Sequence, residues 1–202
     1  GIFFLASAPV ISCLFLIFSL FISFLFSKNI LKNKFDYPFL ICIPLMIIGS
    51  LLNYQNILNS NFLSELSNPY LPIIGLANWI PLFLCFSGFE VYLNSNQKKR
   101  DCIVLFIAGT IPLIFSGFGQ YFFNWYGPFS LLNGLIIWYQ RPLGSGFTAM
   151  TGFFNNSNYA GIWLLMVIPF CLGLLQEKFQ KNYHKLIIFF ILLSLCVSVT
   201  IT

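Results

Sequence analysis

The sequence predicts an all-α membrane protein, a polytopic bundle of about six spanning helices with a long aromatic loop on the outer side. The first observation is composition: 58% of the 202 residues are hydrophobic and 7% are charged, against about 25% charged in ordinary soluble domains. The second is that the apolar runs approach the roughly 20 residues that a helix needs to cross the hydrocarbon layer. The third is the placement of the basic residues between those runs.

Six apolar runs set the predicted spans. They cover residues 2–26, 37–52, 71–93, 102–123, 159–175 and 186 to the end. Alternating ten-residue strands are absent, so the spans are predicted to be helices and not the strands of a barrel. Each run holds one of the six cysteines, without C-x-x-C spacing. We therefore expect packing cysteines, with no disulfide and no metal site.

The basic residues alternate between the connections. Nine of the ten lie in the first, third and fifth: Lys28, Lys32, Lys34, Lys98, Lys99, Arg100, Lys178, Lys181 and Lys185. The positive-inside rule then predicts that these three connections are cytoplasmic. Only Arg141, in the fourth connection, is predicted to lie outside. The net charge of +5 therefore has a topological meaning, and a nucleic acid partner is not expected.

The two ends of the chain lie in apolar sequence. It begins at Gly1, next to the first run, and stops at Thr202, within the last one. We interpret residues 1–202 as one transmembrane bundle taken from a longer protein, without a soluble domain. An N-terminus on the outer side follows from the predicted topology.

The fourth connection, residues 124–158, is long and rich in aromatic residues. Within it, residues 131–139 (LLNGLIIWY) are apolar but too short to cross a membrane. Aromatic rings with a polar edge collect at the headgroup level, so the segment is predicted to be re-entrant or interfacial, roofing the bundle from the periplasmic side.

Polar residues in this connection are the candidates for binding. Arg141 offers a planar fork of donors that suits phosphate, although an interfacial arginine can equally pair with lipid headgroups. Asn155, Asn156 and Asn158 precede the fifth span, where an asparagine can cap the helix and its N-terminus can attract an anion. Capping alone explains one asparagine and leaves two. Gln120, where the fourth span meets the interface, is a weaker candidate for a hydroxyl-rich substrate.

Three other polar residues receive ordinary interpretations. Glu90 is the only carboxylate within a predicted span, and we expect it to reach toward the cluster of Lys98 to Arg100. His184, the only histidine, lies between Lys181 and Lys185 and is interpreted as a solvated cytoplasmic residue. Glu65 stands in the second, outer connection and is a weak candidate for substrate binding.

The strongest motif begins at Gly119. GQYFFNWYGPFSLLNGLIIWYQRPL, followed from Thr151 by TGFFNNSNYAGIWLLMVIPF, resembles the O-antigen ligase and polymerase superfamily of bacterial envelope proteins. In that family an arginine-containing outer loop leads to a Gly, Phe and Asn motif that opens a membrane span. Here Gly152, Phe153, Asn156 and Asn158 occupy the motif positions, and Ser157 replaces the usual proline.

A second departure concerns the arginine. Many members carry it two or three residues before the motif glycine, where this chain has Ala149 and Met150. Arg141, the only arginine of the outer loop, lies farther upstream. The resemblance covers about residues 119–170, and the rest of the chain is similar only in topology.

The resemblance implies glycan transfer from an undecaprenyl-pyrophosphate carrier to an acceptor hydroxyl of a glycan or lipid, at the outer face of the bacterial inner membrane. We expect no metal and no cofactor. Together with the candidates from the residues themselves, we assign substrate binding to Arg141, Asn155, Asn156, Asn158 and Gln120. The catalytic residue is unknown, and a catalytic histidine is expected beyond Thr202. Ligase and polymerase stay open, as do the sugar and the acceptor.

A transporter of polysaccharide or lipid-linked oligosaccharide is the alternative from another class. Such a protein is expected to show repeated halves with broken helices, or charges near the middle of the membrane. The sequence shows neither feature. A purely structural membrane subunit is a third possibility, but it would leave the asparagine cluster and Arg141 without an explanation.

Overall fold

The computed structural model describes residues 1–26, 34–59, 68, 70–143, 149–177 and 182–202. Its helices are α1 (Pro9–Phe26), α2 (Tyr37–Asn59), α3 (Leu71–Glu90), α4 (Asn96–Phe123), α5 (Ser157–Gln176) and α6 (Asn182–Thr200). By length and composition, each of the six can cross a membrane. The prediction of an α-helical polytopic protein with about six spans is confirmed to that extent.

The first predicted span is corrected by the structure. Residues 2–26 do not form one helix: Ile2–Phe4 is a 3-10 turn, and α1 begins only at Pro9. Pro9 is the first residue of α1, a position where its missing N–H costs no hydrogen bond within the helix.

The later helices extend beyond their apolar runs. α2 continues through NYQNILN to Asn59, past the predicted end at residue 52. α4 begins at Asn96, six residues before the predicted start, because the Ser95 side chain caps it by accepting a hydrogen bond from Lys98 N at 3.3 Å. α6 begins at Asn182, which places His184 in a helix and not in a loop. Hydropathy detects the part of a helix that faces lipid, and it misses polar turns at the ends.

The chain divides into two compact units. The first contains Gly1–Phe18 and Ser95–Thr202, and the second contains Ser19–Asn94. Each unit has its own packing and is described by itself.

In the first unit, α4 carries glycines where other segments come closest. Backbone atoms of Phe3 occupy the place of a side chain at Gly109, and the Met150 side chain does so at Gly117. The Trp125 ring lies against Gly119. Since glycine has no Cβ, these segments pack onto the helix backbone itself. The fully buried Leu113, Leu164, Val167 and Leu195 complete this core.

Two contacts fix the direction of the helices in the first unit. Arg100 Nε lies 3.4 Å from Glu177 Oε2, so the start of α4 is beside the end of α5. Met150 N donates to Ile201 O at 2.7 Å, so the end of α6 is beside the segment that precedes α5. The third and fifth connections therefore flank one end of this unit, in agreement with the alternation of basic residues. Arg100 pairs with Glu177.

In the second unit, α2 and α3 pack together with the last part of α1 and enclose a buried polar contact. The Phe39 ring of α2 stacks on Phe83 of α3 with centroids 5.0 Å apart. Asp36, immediately before α2, is 1% exposed and accepts a hydrogen bond from Ser87 Oγ at 2.6 Å. Ser23 Oγ donates to Gly88 O at 2.6 Å, across the contact where Gly88 meets Leu20. Sequence inspection missed the burial of Asp36, because it stands in a polar connection.

The membrane sides can be tested by cysteine labelling. Ser95 and Ser145 are the positions that the sequence suggests, but Ser95 caps α4 and Ser145 lies outside the described residues. Gln97→Cys and Ser130→Cys replace exposed residues instead. In a background without the native cysteines, we expect an impermeant reagent to label Ser130→Cys in intact cells and Gln97→Cys only after permeabilisation. Labelling of both in intact cells would show that the predicted topology is wrong.

Candidate functional site

Gln120, three residues before the end of α4, is the centre of the candidate site. Its side chain is fully buried. The Nε2 group donates to Arg141 O at 2.7 Å and to Thr151 Oγ1 at 3.0 Å. The Oε1 atom accepts from Thr151 N at 3.0 Å and from Gly152 N at 2.9 Å. One amide therefore joins α4 to the arginine segment and to the glycine motif at the same time.

The arginine segment and the glycine motif also bind each other. They run antiparallel: Tyr139 N donates to Phe153 O at 3.2 Å, and Gln140 N donates to Gly152 O at 3.1 Å. Arg141 N then donates to Thr151 Oγ1 at 3.2 Å. The backbone of Arg141 is thus held through both its N–H and its carbonyl oxygen.

Gln140 and Trp138 anchor the same segment from two more sides. Gln140, 3% exposed, donates through Nε2 to the carbonyl and the hydroxyl of Ser116 on α4. Trp138 Nε1 donates to Ser7 O at 2.7 Å, and its ring stacks on Phe153 at 4.5 Å. Because buried polar groups lose water, these bonds fix the position of the segment.

The apolar stretch inside the fourth connection forms a β-hairpin, which the all-α prediction did not include. β1 (Phe129–Leu131) pairs antiparallel with β2 (Ile136–Trp138), with Phe129 opposite Trp138. The turn between them places Leu132, Asn133 and Gly134 at φ of 51°, 53° and 89°. A left-handed turn of this kind reverses the chain within a few residues, so residues 131–139 never become a re-entrant helix.

An apolar cleft of about 430 Å³ lies between this hairpin and α4. Aromatic rings form much of its wall: Phe115, Trp125, Phe129, Trp138 and Phe153. The polar side chains that line it are Ser116 and Gln140, which bind each other. Such a surface can stack against sugar rings or hold a hydrocarbon chain.

The asparagines mark the start of α5. The helix begins at Ser157, and the Asn156 side chain accepts a hydrogen bond from Asn158 N at 2.8 Å. The prediction that an asparagine caps the fifth span near Asn158 is confirmed. Asn155, Asn156 and Asn158 are all exposed. The first turn of α5 therefore carries exposed amides together with the partial positive charge of a helix N-terminus.

The structure brings some predicted site residues together and leaves others apart. Gln120 contacts the backbone of Arg141 directly, and the asparagine cluster begins four residues after Thr151, where the chain enters α5. Arg141 itself is exposed. His184 belongs to the opposite end of the unit, where it lines a cavity with Arg100. Glu65 lies outside the described residues.

The sequence analysis did not identify Thr151 and Gln140 as residues that position the site. Thr151 appeared only as the first letter of the motif, and Gln140 only as a neighbour of Arg141. A glutamine and a threonine in strongly apolar sequence were the available signal, since such side chains require partners when they are buried.

The site contains groups that are able to bind an anion. A guanidinium and a helix N-terminus can both stabilise a phosphate without a metal. No group of three His, Cys, Asp or Glu side chains suited to a metal ion occurs within the described ranges.

Comparison with protein-family models, curated proteins and solved structures finds no match to this chain.

Proposed function

We propose that the chain belongs to a glycan transferase of the bacterial inner membrane, acting in envelope polysaccharide assembly. Its donor is a glycan carried on undecaprenyl pyrophosphate, and its acceptor is a hydroxyl of another glycan or lipid. The observation that supports the proposal most is the Gln120 hub, which holds the backbone of Arg141 and the glycine motif against one helix end. The family resemblance of residues 119–170 supports the same reaction class.

The geometry suits a pyrophosphate leaving group. Negative charge grows on the pyrophosphate as the bond to the sugar breaks, and preorganised donors stabilise that charge. Arg141 supplies a charged fork on a backbone whose two polar groups are already fixed. The start of α5 supplies N–H groups and exposed amide side chains. A preorganised arrangement costs less reorganisation when the charge develops.

The aromatic cleft suits the rest of the donor. The cleft has a volume of about 430 Å³ and lies between α4 and the hairpin. Trp138 and Gln140 are among the residues that line it. A lipid-linked sugar presents both a ring face and a hydrocarbon tail, and aromatic side chains accept either. The transporter alternative gains no comparable observation, because the described hydrogen bonds tie the arginine segment to α4.

Arg141 is the residue whose replacement tests the proposal. We expect Arg141→Ala and Arg141→Lys to weaken binding of a polyprenyl pyrophosphate to the purified chain by similar factors, about tenfold or more, because lysine keeps the charge but loses the fork. Glycan transfer in membrane vesicles should fall in parallel for both variants. Asn158→Ala should have a smaller effect, since its side chain is not the cap.

The matched control is Lys34→Ala, which removes another exposed cation from a connection predicted to be cytoplasmic. This variant should bind and transfer like the wild type. Because Arg141 is exposed, its variants should insert and fold normally. Unchanged donor binding and transfer in both Arg141 variants would contradict the proposed role and leave Arg141 as an interfacial anchor.

A further inference from the structure

A second cavity lies at the other end of the first unit, away from the candidate site. It has a volume of about 310 Å³ and is bounded by the beginning of α4, Leu174 at the end of α5 and the beginning of α6. Eight of its ten lining residues are aliphatic, among them Ile107, Ile188 and Ile191. The two remaining residues are Arg100 and His184.

The polar and apolar parts of this cavity are separated along its length. Arg100 and His184 are in the first two turns of their helices, whereas Ile111 lines the cavity eleven residues after Arg100. At 1.5 Å per residue, the cavity extends roughly 16 Å along α4 from Arg100 to Ile111. One leaflet of a bilayer core is about 15 Å deep. The cavity therefore has the length and the polarity of one lipid acyl chain with its headgroup.

The charge at the mouth favours an anion. Among the described residues at these helix ends there are four positive charges, from Arg100, Lys98, Lys99 and Lys185, and two negative charges, from Asp101 and Glu177. Glu177 Oε2 contacts the Nε atom of Arg100 at 3.4 Å, with the two side chains 42% and 38% exposed. A guanidinium has five N–H donors, so this contact leaves the fork able to bind a phosphate oxygen.

We propose that this cavity binds one anionic phospholipid of the surrounding membrane, with an acyl chain between α4 and α6 and the phosphate against Arg100 and His184. Basic pockets between spanning helices on the cytoplasmic side recognise anionic headgroups in this way. The zwitterionic lipids of the same membrane lack the net charge that the mouth selects. The site is separate from the one proposed for the glycan donor, so either proposal can fail without the other.

The test is lipid titration of the purified chain, followed by native mass spectrometry. The probes are dioctanoyl phosphatidylglycerol and dioctanoyl phosphatidylcholine, which share their chains and differ in headgroup charge. We expect the wild type to bind the glycerol lipid about tenfold more tightly. Arg100→Gln should remove most of that preference, whereas Lys34→Gln, which replaces an exposed cation that does not line the cavity, should change it less than about twofold.

Two further variants separate lipid binding from a merely structural ion pair. Glu177→Gln releases Arg100 from its partner, so we expect it to strengthen phosphatidylglycerol binding; loss of a structural pair alone would leave binding the same or weaker. Ala108→Phe fills the cavity and should reduce binding of both lipids, while Ala77→Phe on the exposed side of α3 should not.

Several outcomes would overturn the inference. Equal binding of the two lipids by the wild type would remove the headgroup selectivity. Phosphatidylglycerol binding that persists in both Arg100→Gln and Ala108→Phe would place the lipid elsewhere. Inorganic phosphate that competes as effectively in Ala108→Phe as in the wild type would indicate a simple anion site without an acyl chain.

Discussion

Replacing Gln120 by leucine is expected to destabilise the chain by about 3 kcal/mol and to abolish donor binding. Leucine keeps most of the volume but leaves the backbone N–H groups of Thr151 and Gly152 buried without an acceptor. An unsatisfied buried group costs about 1–3 kcal/mol. The loss also releases the carbonyl of Arg141, so the arginine segment and the glycine motif are no longer held to α4.

Thermal unfolding in detergent, together with donor binding, measures this effect. For a domain of this size, a loss of about 3 kcal/mol lowers Tm by roughly 6–12 °C. Thr151→Val should cost less, about 1 kcal/mol, because it removes the hydroxyl and keeps the backbone N–H that Gln120 binds. Gln97→Leu, at an exposed position of the same helix, is the control. If Gln120→Leu has the same Tm as Gln97→Leu, Gln120 does not hold the arginine segment and the glycine motif to α4.

Replacing Gly152 by alanine is expected to be the second most damaging change. Gly152 has a φ of 53°, and a Cβ there would lie 2.5 Å from Leu113 Cδ1, a side chain that is fully buried. Left-handed backbone costs a non-glycine residue about 1 kcal/mol or more, and displacing a buried leucine adds to that cost. We expect a loss of about 2–3 kcal/mol together with reduced donor binding.

Two other glycines separate the causes. Gly134→Ala is placed in open space at φ 89°, so it tests backbone strain alone. Gly173→Ala, in α5, is the control without strain or a clash, since no other part of the chain lies within 4 Å of the added Cβ. The expected order of destabilisation is Gly152, then Gly134, then Gly173, measured by thermal unfolding. Equal melting of the Gly152 and Gly134 variants would mean that the contact with Leu113 contributes nothing.

The sequence by itself determined the helical class of the protein and the number of membrane-spanning-length helices among the residues that the structure describes. Each of these six helices is long and apolar enough to cross a membrane, and backbone groups in lipid must be satisfied within a helix. The sequence also determined the start of α5, because an asparagine cap acts through bonds to residues only two positions away. Interactions between residues close in the chain, such as this cap, produce a local sequence pattern from which they can be predicted.

Tertiary structure decided the parts of the site that depend on distant residues. The bonds from Gln120 cross 21 to 32 positions, and the bond from Trp138 to Ser7 crosses 131. The hydrophobic periodicity of the sequence does not indicate hydrogen-bond partners at such distances. A buried glutamine therefore cannot be told from an interfacial one until its neighbours are known. The hairpin was missed for a related reason: its short strands are stabilised by pairing with each other and by the contacts of Trp138 with Phe153 and Ser7, and their apolar residues also suit a helix. The same physics placed Arg141, whose position depends on a glutamine side chain of α4 and a threonine ten residues away.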